Sequence, residues 1–192
     1  MKKFLAFTLI FFSTISSINA EEIKRIFVGN KDAKITIIVF ESLTCSHCAN
    51  FHKDVYPQLK KEYLDSGLAK IEFRHFPLDI AAFNASKISQ CKNDGSSNIL
   101  DRLFLNQQKW VKGSTPEEAN DYLKTFLIEE EINLDFNKCI NDKKIEDFVL
   151  NDRIDGVKKF NVNATPTIII NDEKFEKSLN YKNLKKALEK LI

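Results

Sequence analysis

An α/β fold carrying a helical insertion is the architecture encoded by this 192-residue chain. Residues 35–40, ITIIVF, are almost uninterruptedly apolar and rich in β-branched side chains, as in a strand covered on both faces. The period then becomes helical, and KIEFRHFP at 70–77 alternates as a half-covered or edge strand does. A strand, a helix and a second strand in this order give two parallel strands by the handedness rule. Residues 80–160 read as helix throughout, and only at PTIII, 166–170, does strand character return.

The chain opens MKKFLAFTLIFFSTISSINA, a short positive head followed by an uncharged apolar run and a small residue, Ala20. That is the plan of a secretory signal peptide, cleaved near Ala20 and delivering residues 21–192 to the periplasm. The run is shorter than the ~20 apolar residues of a membrane span and is diluted by Ser13, Thr14, Ser16 and Ser17. Removing Lys2 and Lys3 leaves basic and acidic side chains balanced at 27 each. A neutral, mixed surface excludes a nucleic-acid partner, which needs a basic face. Five Gly and four Pro exclude collagen-like or low-complexity character.

In the first helix Cys48, Phe51, His52, Val55, Leu59 and Tyr63 share one face, with charged residues opposite. Pro57 lies inside it and predicts a kink, and Asp65-Ser66-Gly67 ends it. Within the insertion, NDGSS at 93–97 and KGSTP at 112–116 are breaks. The second reads as a helix start, with Thr115 as N-cap, Pro116 in the first turn and Glu118 three residues on. Trp110 reads as packing within the insertion. Asn171-Asp172 turns the chain into KFEK, a short partner strand. A closing helix from Asn180 places Tyr181, Leu184, Leu188 and Leu191 on one face. The predicted organisation is a signal peptide at 1–20, an α/β domain from 21–78 and 161–192, and the insertion at 79–160.

Four cysteines remain, Cys45, Cys48, Cys91 and Cys139. In an exported protein an even count reads as disulfides. Cys45-Ser46-His47-Cys48 closes the buried strand and opens the helix, where open α/β sheets place their chemistry. There, unpaired backbone N–H groups and the helix dipole favour a thiolate, the form that attacks a disulfide. Cys45 is the candidate exposed nucleophile, His47 a further donor or positive partner, and Cys48 the shielded resolving sulfur one turn along.

VFESLTCSHCANFH in residues 39–52 and NVNATPTIIIN at 161–171, with helices between them, resemble the DsbA-like branch of the thioredoxin superfamily. The resemblance spans nearly all of residues 21–192 and implies a thioredoxin fold with an inserted helical sub-domain. It implies a protein-disulfide oxidoreductase acting on unfolded exported proteins and reoxidised by a quinone-linked, DsbB-like membrane oxidase. It makes Cys45–Cys48 a redox-active disulfide needing no other cofactor, with His47 tuning it. Pro166 matches the family's cis-proline, and Thr165 the residue whose backbone pairs with the substrate strand. Ser46 departs from the proline of the best-known motif, which points to a less strongly stabilised thiolate. A bridge between Cys91 and Cys139 is similar to that of a subset of DsbA-like proteins, the alternative being two buried thiols. The absence of a long dimerisation arm ahead of Ile35 favours a monomeric oxidase over an isomerase or reductase kept reduced by a membrane carrier.

Two other classes compete. A periplasmic copper- or zinc-binding protein would use Cys45, Cys48, His47 and His52, but no second ligand pair has the spacing of a structural site. A binding protein with two structural disulfides conflicts with the small, easily reduced CxxC ring. His52 and His75 read as packed helix and strand side chains, and no metal ligand is assigned. Many relatives carry an acid six residues before the first cysteine, where this chain has Val39. Glu41, two residues on and on the same strand face, is either a solvated strand end or the proton acceptor for Cys48.

Overall fold

The computed structural model describes residues 22–192, so the signal-peptide reading at 1–20 lies outside the described residues. The ITIIVF run forms β2 (Ile35–Glu41), buried along nearly its whole length. Sheet partners flank it on both sides, β3 (Ala69–His75) in parallel and β4 (Thr167–Ile170) antiparallel. Two short strands complete the sheet among the described residues, β1 (Phe27–Gly29) beside β3 and β5 (Glu173–Lys174) beside β4. The order is β1-β3-β2-β4-β5.

Three sequence expectations shift here. The alternation of β3 is real, yet the strand is internal, because the three residues of β1 cover its outer side. KFEK contributes only Lys174 to β5, which pairs across the turn with Ile169 and Ile170. The closing helix, α9 (Tyr181–Leu188), is capped by Asn180 Oδ1, which accepts from Asn183 N at 2.9 Å. Leu184 and Leu188 are buried, but Leu191 falls beyond the helix end and is 45% exposed.

The first helix begins as α1 (Ser46–Asn50), widens into a π turn over Phe51–Val55 and resumes as α2 (Tyr56–Leu59). A second π turn spans Lys60–Leu64. Pro57 lies in the first turn of α2, directly after the π turn.

Between β3 and β4 lie α3 (Ile80–Gln90), α4 (Asn98–Leu105), α5 (Gln107–Trp110), α6 (Pro116–Glu129), α7 (Phe136–Asn141) and α8 (Lys143–Phe160). The KGSTP cap forms, with Thr115 Oγ1 accepting from Glu118 N at 3.2 Å. The Glu118 carboxylate reaches back to Ser114 N rather than to the cap residue itself. Trp110 is buried inside the insertion and donates its indole N–H to the Leu103 carbonyl at 2.9 Å.

Phe40 and Phe73 are fully buried on the sheet, each worth roughly 1.5–3 kcal/mol of transfer free energy. Helix α8 crosses the sheet closely enough that a Cβ at Gly156 would sit 2.8 Å from the Phe40 ring. A larger residue there would require the Phe40 ring or the helix to shift. His75 lies in the core, where Gln90 Nε2 is 3.0 Å from its Nε2, and burial followed by the Arg25 charge lowers its pKa to about 3.

Candidate active site

Cys45 ends the loop leaving β2 and is the N-cap of α1, with extended backbone angles (φ −76°, ψ 118°). Its sulfur is half-buried, whereas Cys48, one turn on, is fully buried. Both are thiols here. Ser46 and His47 between them are exposed. The chain therefore offers one sulfur to solvent and shields the other.

The electrostatics of the two sulfurs diverge. A hydrogen bond from the Cys48 thiol is the largest influence on Cys45 and outweighs partial burial. Thr165 and the backbone N–H groups of Cys48 and His47 add to it, and the Cys45 pKa falls to about 5. Burial drives Cys48 the other way, far above the usual thiol range, and its bond to Cys45 and the Glu41 charge add to the rise.

Across from the sulfurs, the Thr165–Pro166 peptide bond is cis. In its thiol form Cys45 Sγ donates to the Thr165 carbonyl at 3.4 Å. Thr165 and Pro166, from the loop before β4, share an open groove with His47, Asn50, Phe51 and Tyr181. A second groove, on the other side of α1, runs past Thr44, Ser46 and Lys53 to Leu105 and Val111 of the insertion.

Glu41 is not a solvated strand end. It is 2% exposed, and its Oε2 lies 2.9 Å from His52 Nε2. His52 likewise does more than pack. Its ring stacks on Phe104 with centroids 4.2 Å apart, and its Nδ1 lies 3.3 Å from Asp101 Oδ1 of α4. Burial raises the Glu41 pKa despite the opposing His52 charge. Burial also works to lower His52, but the Glu41 and Asp101 carboxylates prevail and lift it to about 9. Val39, two residues before Glu41 on the same strand, is fully buried.

The sequence reading missed the contacts that hold the active-site loop. Gln107 of α5 donates from Nε2 to the carbonyls of Leu43 at 2.7 Å and Cys45 at 3.0 Å. Thr44 Oγ1 donates to Asp79 Oδ2 at 2.6 Å, and Leu78 N donates to Ser42 Oγ at 3.3 Å. No local pattern marks these partners, because they lie dozens of residues away along the chain.

Cys91 ends α3 and Cys139 lies in α7, and their sulfurs are bonded, with Cα atoms 5.4 Å apart. The bridge ties the first long helix of the insertion to one of its last.

The thioredoxin family model matches residues 21–190. The chain belongs to the thioredoxin family. Within it, the similarity is to DsbA-like proteins. The crystal structure of alpha-DsbA1 from Wolbachia pipientis superposes with a TM-score of 0.75 at 31% identity, covering 87% of this chain and 90% of that one. Disulfide bond formation protein D of Bacillus subtilis is 27% identical over 85% of this chain and 75% of its own length. A Rickettsia bellii protein named as a candidate protein-disulfide oxidoreductase is 29% identical over 86% of this chain. The match spans 63% of that relative's length.

Proposed function

We propose that this thioredoxin-family chain is a periplasmic thiol:disulfide oxidoreductase that donates its Cys45–Cys48 disulfide to exported proteins. The observation that carries the reading is the inequality of the two sulfurs, one half-exposed and acidic, the other buried and far less acidic. A substrate thiolate attacks Cys45 Sγ, the Cys45–Cys48 bond breaks, and Cys48 leaves with the electron pair and takes a proton. A second substrate thiolate then attacks the mixed disulfide and expels Cys45 as a thiolate. Stabilising that thiolate stabilises the reduced protein, which makes the disulfide a stronger oxidant.

The groove beside Pro166 supports a role in holding an extended substrate segment against the Thr165 backbone. The amino-terminal sequence supports export to the periplasm, and the family resemblance supports a quinone-linked, DsbB-like membrane oxidase as the regenerating partner. The test is the equilibrium of Cys45–Cys48 with glutathione. A potential near the strongly oxidising end of the family, around −120 mV, is expected. A value near that of thioredoxin, around −270 mV, would reverse the assigned direction of electron flow.

A further inference from the structure

In the proposed exchange, Cys48 must take up a proton inside the protein, because its sulfur is 0% exposed. A thiolate expelled there is shielded from bulk solvent, and burial makes the charged form costly. The proton donor must therefore be built into the fold. Glu41 stands close enough for its charge to raise Cys48, and its Oε1 is buried without a hydrogen-bond partner. Its other oxygen is engaged by His52 Nε2 at 2.9 Å. His52 is only 1% exposed, and its Nδ1 lies at ion-pair distance, 3.3 Å, from Asp101 Oδ1, neither atom making a hydrogen bond in this geometry. Asp101, whose Oδ2 accepts from Ser97 Oγ at 2.7 Å, is 28% exposed. The three side chains thus connect the neighbourhood of the buried sulfur to solvent.

We propose that Glu41, His52 and Asp101 form one proton-holding chain, running from the buried surroundings of Cys48 to the surface, with His52 as its link. This rests on the oxidoreductase reading and adds two positioning residues to it, one of them supplied by the helical insertion. When the Cys45–Cys48 bond breaks, Cys48 Sγ takes the proton of Glu41. Glu41 regains one from His52, and His52 is reprotonated from solvent past Asp101. Reoxidation of the dithiol runs the same path backwards, the proton of Cys48 leaving as its sulfur attacks the mixed disulfide at Cys45. One proton moves each time Cys48 is released or engaged, Cys45 leaving as a thiolate, and no further reactant is needed.

The groups that set the protonation of His52 are few. From β2 it faces Glu41, from α4 Asp101, and from α2 Tyr56, with ring centroids 5.3 Å apart. Phe73 of β3 and Phe104 of α4 are its uncharged neighbours. With carboxylates on both ring nitrogens, the Glu41–His52 pair retains a proton at neutral pH. Disulfide donation by this route fails as pH rises through the value at which the pair gives that proton up.

The experiment is a single-turnover reduction of the oxidised protein by a reduced, unfolded protein substrate across pH 5 to 10, for wild type, Asp101→Asn and His52→Gln. Positioned acid–base groups contribute on the order of 10²–10⁴-fold, so a loss of at least about tenfold is expected for His52→Gln. Asp101→Asn removes a negative charge from His52, and its alkaline limb should move to lower pH. The Cys45 thiolate midpoint, read from ultraviolet absorbance of the reduced proteins, should stay near that of wild type. That control separates a relay defect from a damaged nucleophile. If His52→Gln does not fold, the partly exposed Asp101→Asn decides alone. Unchanged rates and an unmoved alkaline limb in the folded variants would overturn the chain. A wild-type protein unable to oxidise the substrate at any pH would overturn the oxidoreductase reading, and the relay with it.

Discussion

The first cysteines of the two pairs occupy opposite ends of helices. Cys45 is the N-cap of α1, where backbone N–H groups converge on its sulfur, whereas Cys91 is the C-cap of α3, where the exposed carbonyls repel a thiolate. Cys48 lies three residues from its partner, whereas Cys91 and Cys139 are 48 apart. A tight pair at a positive helix end is suited to exchange. A long-range pair at a negative end is suited to constrain the chain. The same element is placed for chemistry in one region and for stability in the other.

Removing sulfurs from each pair should therefore give unlike defects, and this is the largest expected effect. Cys45→Ala is expected to abolish oxidation of a reduced, unfolded protein, while the Cys91→Ala/Cys139→Ala double variant keeps it. The double variant should instead lose about 4 kcal/mol of stability, by the loop-entropy relation for a separation of 48 residues, read by urea unfolding. Loss of activity without loss of stability in the double variant would reverse the two assignments.

A smaller effect sharpens the contrast within the first pair. Alkylation of the reduced protein at pH 6 should label Cys45 and spare Cys48, because only Cys45 is a thiolate there. Since the folded pKa of Cys45 is depressed, its contribution to the stability of the dithiol form is full above the unfolded thiol value near 8.5. That contribution disappears as pH falls through about 5. The reduction potential should follow the same titration. It should fall about 59 mV per pH unit below that midpoint, where two protons accompany two electrons, and about 30 mV above it, where one does. A single slope from pH 4 to 8 would mean that Cys45 is an ordinary thiol.

Much of this was legible because it is local. β2 announces itself in ITIIVF, and Thr115 marks a helix start by cap chemistry that lies within a few residues. The position of Cys45 at a strand end and helix start was readable for the same reason. β1 was not, since three residues whose pairing depends on β3 leave no period to detect. The first helix disclosed its face but not its π turns, which no residue spacing marks. The burial of Glu41 was left open between two readings. A carboxylate at a strand end reads as solvated until its partner His52, eleven residues on, and the α4 helix that closes over both are in place.

The smallest expected effect tests whether the insertion also holds the active-site loop. Gln107 donates both of its amide hydrogens, one to the Leu43 carbonyl and one to that of Cys45, on either side of Thr44. Gln107→Ala would leave the carbonyls of buried Leu43 and half-buried Cys45 without this donor, at roughly 0.5–1.5 kcal/mol for each lost bond. The Cys45 sulfur itself is untouched by Gln107, so its thiolate midpoint should move little. What loosens is the loop that presents it, and the entropy of holding the nucleophile in place enters the rate of attack. A several-fold slower reaction with a reduced protein substrate, at nearly unchanged Cys45 acidity and a modestly lower melting temperature, is therefore expected. The measurements are the single-turnover rate, the ultraviolet thiolate titration and thermal unfolding on the same preparation. If the rate holds while stability falls by the full amount, Gln107 is a strut of the insertion alone, and the active-site loop is rigid without it.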